Sequence, residues 1–311
     1  MKRKTIFHIV LAVIIIFAFI FAIYFIHKNN SAKDAINLNK LSPVSEINKR
    51  ALSLRTRAKP SEAPQTFNLA IASMMSPVAN IEAYKPFARY IGRALHMPVK
   101  IIQKRTYLAV NNLLIKNKID LAFICTGAYV YGGLKNKVKI IAVPVIDGRK
   151  TYQAYIIAHK PSNVESIKDL KGKIFAFTEP LSNTGYEYPV GFFKENGINP
   201  KTYFKRVIFT YNHTDSIKAV ASGIADGASV DSIVYSYTFE KYKSVRLHTK
   251  IILKSPLFPI PPIVMPDGVN KVLRTKVEKI LLGMSKNPKG RLILKKLNIN
   301  GFAAPDISRY K

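Results

Sequence analysis

Cysteine is scarce, acidic residues are few, and the histidines are scattered. The single thiol, Cys125, excludes an intrachain disulfide. With one Cys, six separated His and no His-Glu-x-x-His run, the chain offers no zinc-ligand spacing. It has no short-period repeat and no low-complexity tract. Eighteen Asp and Glu stand against 49 Lys and Arg, a formal net charge of +31. Such a surplus raises the question of nucleic acid. Yet the basic residues are spread along all 311 positions, without a basic arm, an Arg-rich helix, zinc-finger spacing or an RNP-like aromatic motif. The plainer reading is a basic solvated surface whose field draws small anions toward a cleft. Neither a nucleic-acid partner, a metal nor a cofactor is expected.

What is present begins with the N-terminus, "MKRKTIFHIVLAVIIIFAFIFAIYFIHKNN". Three basic residues precede an apolar run from Thr5 to Ile26, long enough to span a hydrocarbon core. Signal-peptide apolar regions are shorter, roughly 7–15 residues, and end at an A-x-A-like site. Only "NSA" (30–32) resembles one. Residues 1–30 are therefore read as an uncleaved signal anchor, with cleavage after Ala32 as the alternative. Lys2, Arg3 and Lys4 hold the N-terminus in the cytoplasm, so the body of the chain lies outside. Residues 31–66, polar and with three prolines, read as a tether.

From Phe67 onward short apolar strands alternate with helical patterns. Strands are expected at 67–73, 98–103, 119–125, 138–146 and 151–160, and helices at 80–95 and 107–117. Tyr84, Phe87, Ile91 and Leu95 share one face of the first helix. A second series follows: helix 166–172, strand 173–178, helix 186–197, strand 204–210, helix 215–223, strand 225–231 and helix 232–242. Residues 245–265 read as strand, crossing segment and strand, and 269–287 and 290–297 as helices. This alternation predicts α/β architecture with largely parallel sheets in two halves around a cleft. Ligands in such folds bind beyond the carboxyl ends of strands, where loops enter helices. Candidate positions there are Ser73, Ser76, Tyr107, Thr126, Ser182, Asn183, Thr184, His213 and Asp231.

The stretch "EPLSNTGYEYP" (179–189) places hydroxyls, an amide and a glycine between a strand and a helix. Such a place suits helix capping, and it equally suits an anion, toward which free N–H groups and the helix dipole point. Cys125, within "DLAFICTGAYV", reads as a buried structural thiol rather than a nucleophile.

Four stretches together, "DLAFICTGAYV", "GKIFAFTEPLSNTGYEYP", "KRVIFTYNHTDSIKAVASGIADGASVD" and "KSPLFPIPP", resemble the phosphate/phosphite/phosphonate substrate-binding proteins of ABC transporters. The resemblance covers about residues 67–306 and implies a two-lobed type II periplasmic-binding-protein fold, each lobe a mixed sheet flanked by helices. Lobe 1 would take 67–153 and 254–311, and lobe 2 would take 154–253. It implies that Ser182, Asn183 and Thr184 hold the ligand's oxyanion. Asn183 stands where the family's pattern has a hydroxyl. His213 would give a charge-assisted hydrogen bond, and Tyr107 and Tyr152 match the family's tyrosines. Thr126 and Asp231 complete the expected set, with Asp231 also read as a helix cap. Carboxylates that hold an ammonium group in aminoalkylphosphonate binders are missing: Pro261 and Ile233 stand at those places.

The expected function is extracytoplasmic capture of a small phosphorus oxyanion for an ABC permease, through hinge closure. A membrane-anchored sensor reporting to a signalling partner is the alternative. Ser182 with His213 is the one nucleophile–base pair, and no third orienting group accompanies it, so no catalytic residues are expected.

Overall fold

The computed structural model describes residues 65–311. The apolar run 5–26 and most of the tether lie outside these residues. Among the described residues no helix is long and apolar enough to cross a membrane.

In chain order the first elements are β1 (Phe67–Ile71), α1 (Pro77–Leu95), β2 (Val99–Ile102), α2 (Tyr107–Ile115), β3 (Leu121–Phe123), α3 (Thr126–Val130) and β4 (Val138–Val145). Then come β5 (Thr151–Tyr152), β6 (Ala154–His159) and β7 (Ile174–Phe177). A π-helical turn (Asn183–Glu187) runs into α4 (Tyr188–Glu195), followed by α5 (Pro200–Tyr203), β8 (Arg206–Phe209), α6 (His213–Ala221), β9 (Gly227–Asp231) and α7 (Ser232–Lys241). The chain ends with α8 (Lys243–His248), β10 (Thr249–Lys254), β11 (Phe258–Pro259), β12 (Ile263–Pro266), α9 (Lys271–Gly283), α10 (Pro288–Lys296) and β13 (Gly301–Ala303).

The strands form a six-stranded sheet in the order β13-β4-β12-β3-β1-β2 and a five-stranded sheet in the order β10-β6-β9-β7-β8. Each sheet carries one lobe. The chain leaves the first sheet after β4 and returns to it at β12. On these passages β5 and β11 pair with each other antiparallel, Tyr152 opposite Phe258 and Thr151 opposite Pro259. That two-stranded ribbon joins the lobes.

Strand alternation builds the core. In β1, Phe67, Leu69 and Ile71 enter one apolar cluster while Ala70 enters the cluster on the opposite face. Leu121 and Phe123 against Ala122 in β3, and Ile263 and Met265 against Val264 in β12, repeat the division. A strand buried on both faces reads as a nearly continuous apolar run, as these do apart from the half-buried Asn68 of β1. The face expected for α1 is the one buried, through Tyr84, Phe87, Ile91 and Leu95. Phe87 meets Phe123 edge to face at 5.2 Å between ring centroids, and Phe302 at 6.1 Å.

Several expectations are corrected. The sheets are mixed, as the resemblance implies, rather than largely parallel as the alternation alone predicts: β1 runs parallel to β2 and β3, but β12 pairs antiparallel with β3 and β4, β13 with β4, and β6 with β9 and β10. A chain that crosses between lobes and returns delivers its strands reversed. The strand expected at 151–160 divides at Gln153 into β5 and β6, which serve different sheets. The helix expected at 166–172 is a single 3-10 turn, Lys168–Leu170. Residues 243–248, partly taken as strand, form α8. The helix expected from 186 is preceded by the π-helical turn, which absorbs the supposed loop residues Asn183 to Gly185.

Phe87→Ala should destabilise the protein by about 3–5 kcal/mol, because the ring lies wholly within a packed aromatic group. Denaturant unfolding of the two proteins measures it.

Candidate functional site

Ser182 caps the π-helical turn. Its Oγ accepts the Gly185 N–H at 3.0 Å. His213, the first residue of α6, brings its Nε2 to 3.3 Å from the same Oγ. The tautomer follows from the other ring nitrogen: Nδ1 accepts the backbone N–H of Asp231 at 3.0 Å. The ring proton of a neutral imidazole then sits on Nε2 and is donated to Ser182. A serine oxygen accepts two hydrogen bonds and donates one. Both acceptor places are taken, so the Ser182 O–H is left to donate.

His213 is fully buried, and burial lowers its pKa to about 3. The ring is therefore neutral, and a bond from it to an oxyanion would take its charge from the acceptor alone. Desolvation disfavours the imidazolium, and no carboxylate contacts the ring to offset it. Its hydrogen bond goes to Ser182, which it orients.

Two hydroxyls at the site are buried without any partner, Tyr107 Oη and Thr184 Oγ1. Tyr107 opens α2 in the first lobe, and Thr184 lies in the π-helical turn of the second. A buried hydroxyl lacking a hydrogen bond costs about 1–3 kcal/mol. Asn183 Nδ2 donates to Tyr152 Oη at 3.4 Å, which ties the turn to the joining ribbon. Burial, reinforced by nearby ionisable groups that include Cys125 and Asp231, raises the pKa of both Tyr107 and Tyr152, so both phenols keep their protons.

Thr126 is buried, and its hydroxyl donates to Pro259 O at 2.9 Å. It fastens α3 to β11 and has no donor left. Asp231 caps α7, its Oδ1 accepting Ile233 N at 2.7 Å and Val234 N at 3.2 Å. Burial raises its carboxyl to about 7, against the pull of those N–H groups. Ser73 Oγ donates to Lys104 O, and Ser76 stands at the start of α1 without a side-chain cap bond. Neither joins the group. Burial pushes the Cys125 thiol up to about 11, although the N–H groups of Asn183 and Gly127 turn toward its sulfur. That agrees with an inert structural thiol.

The two lobes meet here. His213 N donates to Met74 O at 3.0 Å. Tyr107 N donates to Glu179 Oε1 at 2.9 Å, and Glu179 Oε2 accepts Leu181 N at 2.7 Å. Glu179, buried at 2 % exposure, thus caps α2 across the seam. Sequence reasoning missed it; a lone acid directly after an apolar strand was the available signal. Thr178, Ser216 and Ser229 were missed as well. Thr178 Oγ1 packs at 3.3 Å from His213 Nδ1 and 3.1 Å from Ser216 Oγ, and Ser229 Oγ donates to Thr184 O at 2.6 Å. Beside Tyr152 and Asp231 the seam opens into a cavity of about 800 Å³, whose lining includes Met74, Ile233 and Pro261. No Lys or Arg side chain hydrogen-bonds within the group. Arg149, Arg291, Lys295 and Lys296 line the cavity, and Arg105 stacks over the Tyr211 ring at 4.7 Å.

Two lobes on a joining ribbon, closing neutral donors into a seam, define a solute-binding protein of the periplasmic type. The profile of the family described as ABC transporter, phosphonate, periplasmic substrate-binding protein matches residues 69–310, and the chain belongs to that family. The phosphate-import protein PhnD of Mycolicibacterium smegmatis is 27% identical over 189 residues, 57% of this chain and 59% of that protein. The chain thus aligns with less than two thirds of that relative's length. The phosphonates-binding periplasmic protein of Escherichia coli is 26% identical over 266 residues, 81% of this chain and 77% of that protein. The same fold is seen in a binding component of an ABC phosphonate transporter from Pseudomonas aeruginosa, with a TM-score of 0.75 and 23% identity over 80% of this chain and 84% of that one. It is also seen in PhnD1 of Prochlorococcus marinus in complex with methylphosphonate, with a TM-score of 0.73 and 19% identity over 80% and 96%. Members of this family are substrate-binding components of importers, not enzymes, and act on the extracytoplasmic side.

Gly127 tests the seam. A Cβ there would lie 2.5 Å from Leu181 O and 2.6 Å from Asn183 N, backbone atoms of the opposite lobe. Gly127→Ala should strain the closed arrangement alone. Overpacking of about 1–3 kcal/mol translates into ligand affinity lowered about 5- to 150-fold, with the unfolding midpoint of the unliganded protein little changed. Calorimetric titration beside thermal melts reads both.

Proposed function

We propose that the chain captures a small phosphorus oxyanion between its lobes and presents the closed form to an ABC permease. The observation that carries this reading is the pair of buried, unpartnered hydroxyls, Tyr107 Oη and Thr184 Oγ1, one from each lobe. A tetrahedral oxyanion supplies the missing acceptors and rewards closure, because it bonds both lobes only when they meet. Ser182 donates from the N-terminus of the π-helical turn, where the helix dipole also favours negative charge. Asn183 and Tyr152 hold the turn against the ribbon. His213 fixes the direction of the Ser182 hydroxyl. Lobe limits of 67–153 with 254–311, and 154–253, place the hinge at the β5–β11 ribbon. Residues 1–30 serve as a membrane anchor on this reading, and 31–66 as its tether.

The ligand carries no ammonium group. Pro261 and Ile233 line the cavity at the two places where the resemblance puts the carboxylates of aminoalkylphosphonate binders; the cavity's own carboxylates, Asp147, Asp231 and Glu240, stand elsewhere in the lining, and an unpaired cation is costly to desolvate. Phosphate, phosphite and small alkylphosphonates fit this requirement.

Titration calorimetry of the full chain in mild detergent, with phosphate, phosphite, methylphosphonate and 2-aminoethylphosphonate, tests the proposal. At least one of the first three should bind, and the amino compound should bind no tighter than methylphosphonate. Ser182→Ala/Thr184→Ala should weaken binding at least about 100-fold, since each removes a hydrogen bond to a charged group. Unchanged affinity in that variant would remove the turn from the site.

A further inference from the structure

The first lobe carries a second concavity, which shares no residue with the cavity at the seam. Helix α1 packs beside β2, the edge strand of its sheet, and the two enclose an open groove of about 700 Å³. Gly92 lets them approach: a Cβ there would lie 2.8 Å from Met97 O and 3.0 Å from Val99 Cγ2. The floor is apolar, with Ile81 exposed and Met97 and Val99 half-buried. Lys85, Arg89 and Arg93, all exposed, stand along the rim at helical spacing, in one stripe. No Asp or Glu lines the groove. None of the three cations joins an ion pair among the described residues.

Helix electrostatics explain only part of this stripe. Arg93, in the last turn, complements the carbonyl end of α1, but Lys85 and Arg89 lie too far back for that. Like charges at this spacing repel one another, and an anionic partner relieves the repulsion. A cationic rim over an apolar floor suits a lipid headgroup layer, where the charges meet phosphates and the apolar side chains reach the acyl boundary. The path of the chain points the same way. Phe67, the first residue of β1, donates its N–H to Pro98 O, and Pro98 lines the groove. Residues 31–66, proposed as the tether, thus join the domain at the edge of the groove. A segment of that length reaches at most about 130 Å. A domain held within such a reach of a bilayer meets it at high effective concentration, so a weak contact suffices.

We propose that the α1–β2 groove docks the first lobe on the anionic phospholipid headgroups of the membrane, beside the point where the tether joins the domain. This rests on the reading of residues 1–30 as a membrane anchor. Pro98 and Val99 stand at the start of β2, whereas the seam lies past the opposite ends of β1 and β3, at Met74 and Thr126. Docking therefore holds one lobe and leaves the other free to close. Each Lys or Arg beside an anionic surface strengthens the contact by about fivefold, and salt screens it.

The chain has no tryptophan, so an introduced one is a clean probe. Ile81→Trp places it on the groove floor, and Val272→Trp places it on α9 of the same lobe, exposed beside Lys271. Each full chain is reconstituted in vesicles of phosphatidylcholine brominated along its acyl chains, with and without phosphatidylglycerol. Emission at position 81 should be quenched and blue-shifted only with phosphatidylglycerol present, and added salt should reverse it. Emission at position 272 should not change. Arg89→Gln/Arg93→Gln, added to the Ile81→Trp chain, should lower the ratio of docked to free domain about 25-fold. Arg89→Lys/Arg93→Lys should leave that ratio within about threefold, because a headgroup layer reads charge rather than the guanidinium fork. Equal quenching with and without phosphatidylglycerol, equal quenching at both positions, or quenching that survives the Gln variant would overturn the proposal. A response to poly-glutamate and none to phosphatidylglycerol would overturn it too, and would assign the groove to an acidic protein segment. Should neutral vesicles fail to retain the chain, the anchor reading falls, while quenching by added phosphatidylglycerol vesicles still decides the groove. Should Ile81→Trp misfold, hydrogen exchange over residues 97–102 of the unaltered chain decides it: slowing by phosphatidylglycerol supports docking, and no slowing overturns it. Oxyanion capture is tested separately by the phosphate titration.

Discussion

A hydroxyl shut away from water needs an acceptor, and the seam between the lobes shuts away several at once. Gly127 of α3 lets the backbone of one lobe touch the backbone of the other at Leu181 and Asn183. With no side chain to hold the surfaces apart, water is excluded and each donor at the contact must be answered from within. His213 answers to Asp231 and Ser182, Asn183 to Tyr152, and Glu179 to α2. Tyr107 and Thr184 are left over. The rest of the fold can be read as the means of bringing that unfinished hydrogen-bond network together and releasing it again.

The charge distribution fits the same purpose. The chain carries a formal charge of +31, yet the groups gathered at the seam are neutral donors and two buried carboxylates. A diffuse positive field raises the rate at which anions reach the cleft. A fixed ammonium or guanidinium inside it would hold any anion tightly and slow its release. Neutral donors at defined positions discriminate by geometry.

Much of this was legible in the sequence wherever a local pattern reports a local cause. The alternation in β1 and the buried face of α1 are properties of neighbouring residues, and hydrophobic period reveals them. Ser182, Asn183, Thr184, His213, Tyr107 and Tyr152 were all named; the structure pairs Ser182 with His213 and Asn183 with Tyr152, and buries the Tyr107 and Thr184 hydroxyls without partners. What escaped notice depends on distant partners. Helix α3 has five residues, too few to show a period. The division of 151–160 at Gln153 is imposed by two different sheets competing for one strand. Glu179 gains its task only because the N-terminus of α2, 72 residues away, lies across the seam. The neutrality of His213 is likewise a matter of burial, which no neighbouring residue signals.

The central claim is that an oxyanion between the lobes biases them toward closure. Spin labels at Lys118 on the first lobe and Lys201 on the second, both exposed, would report it as a distance distribution. Adding phosphate to the full chain should shift that distribution to shorter values and narrow it. A distribution unchanged by phosphate, under conditions where calorimetry shows the site filled, would contradict the account.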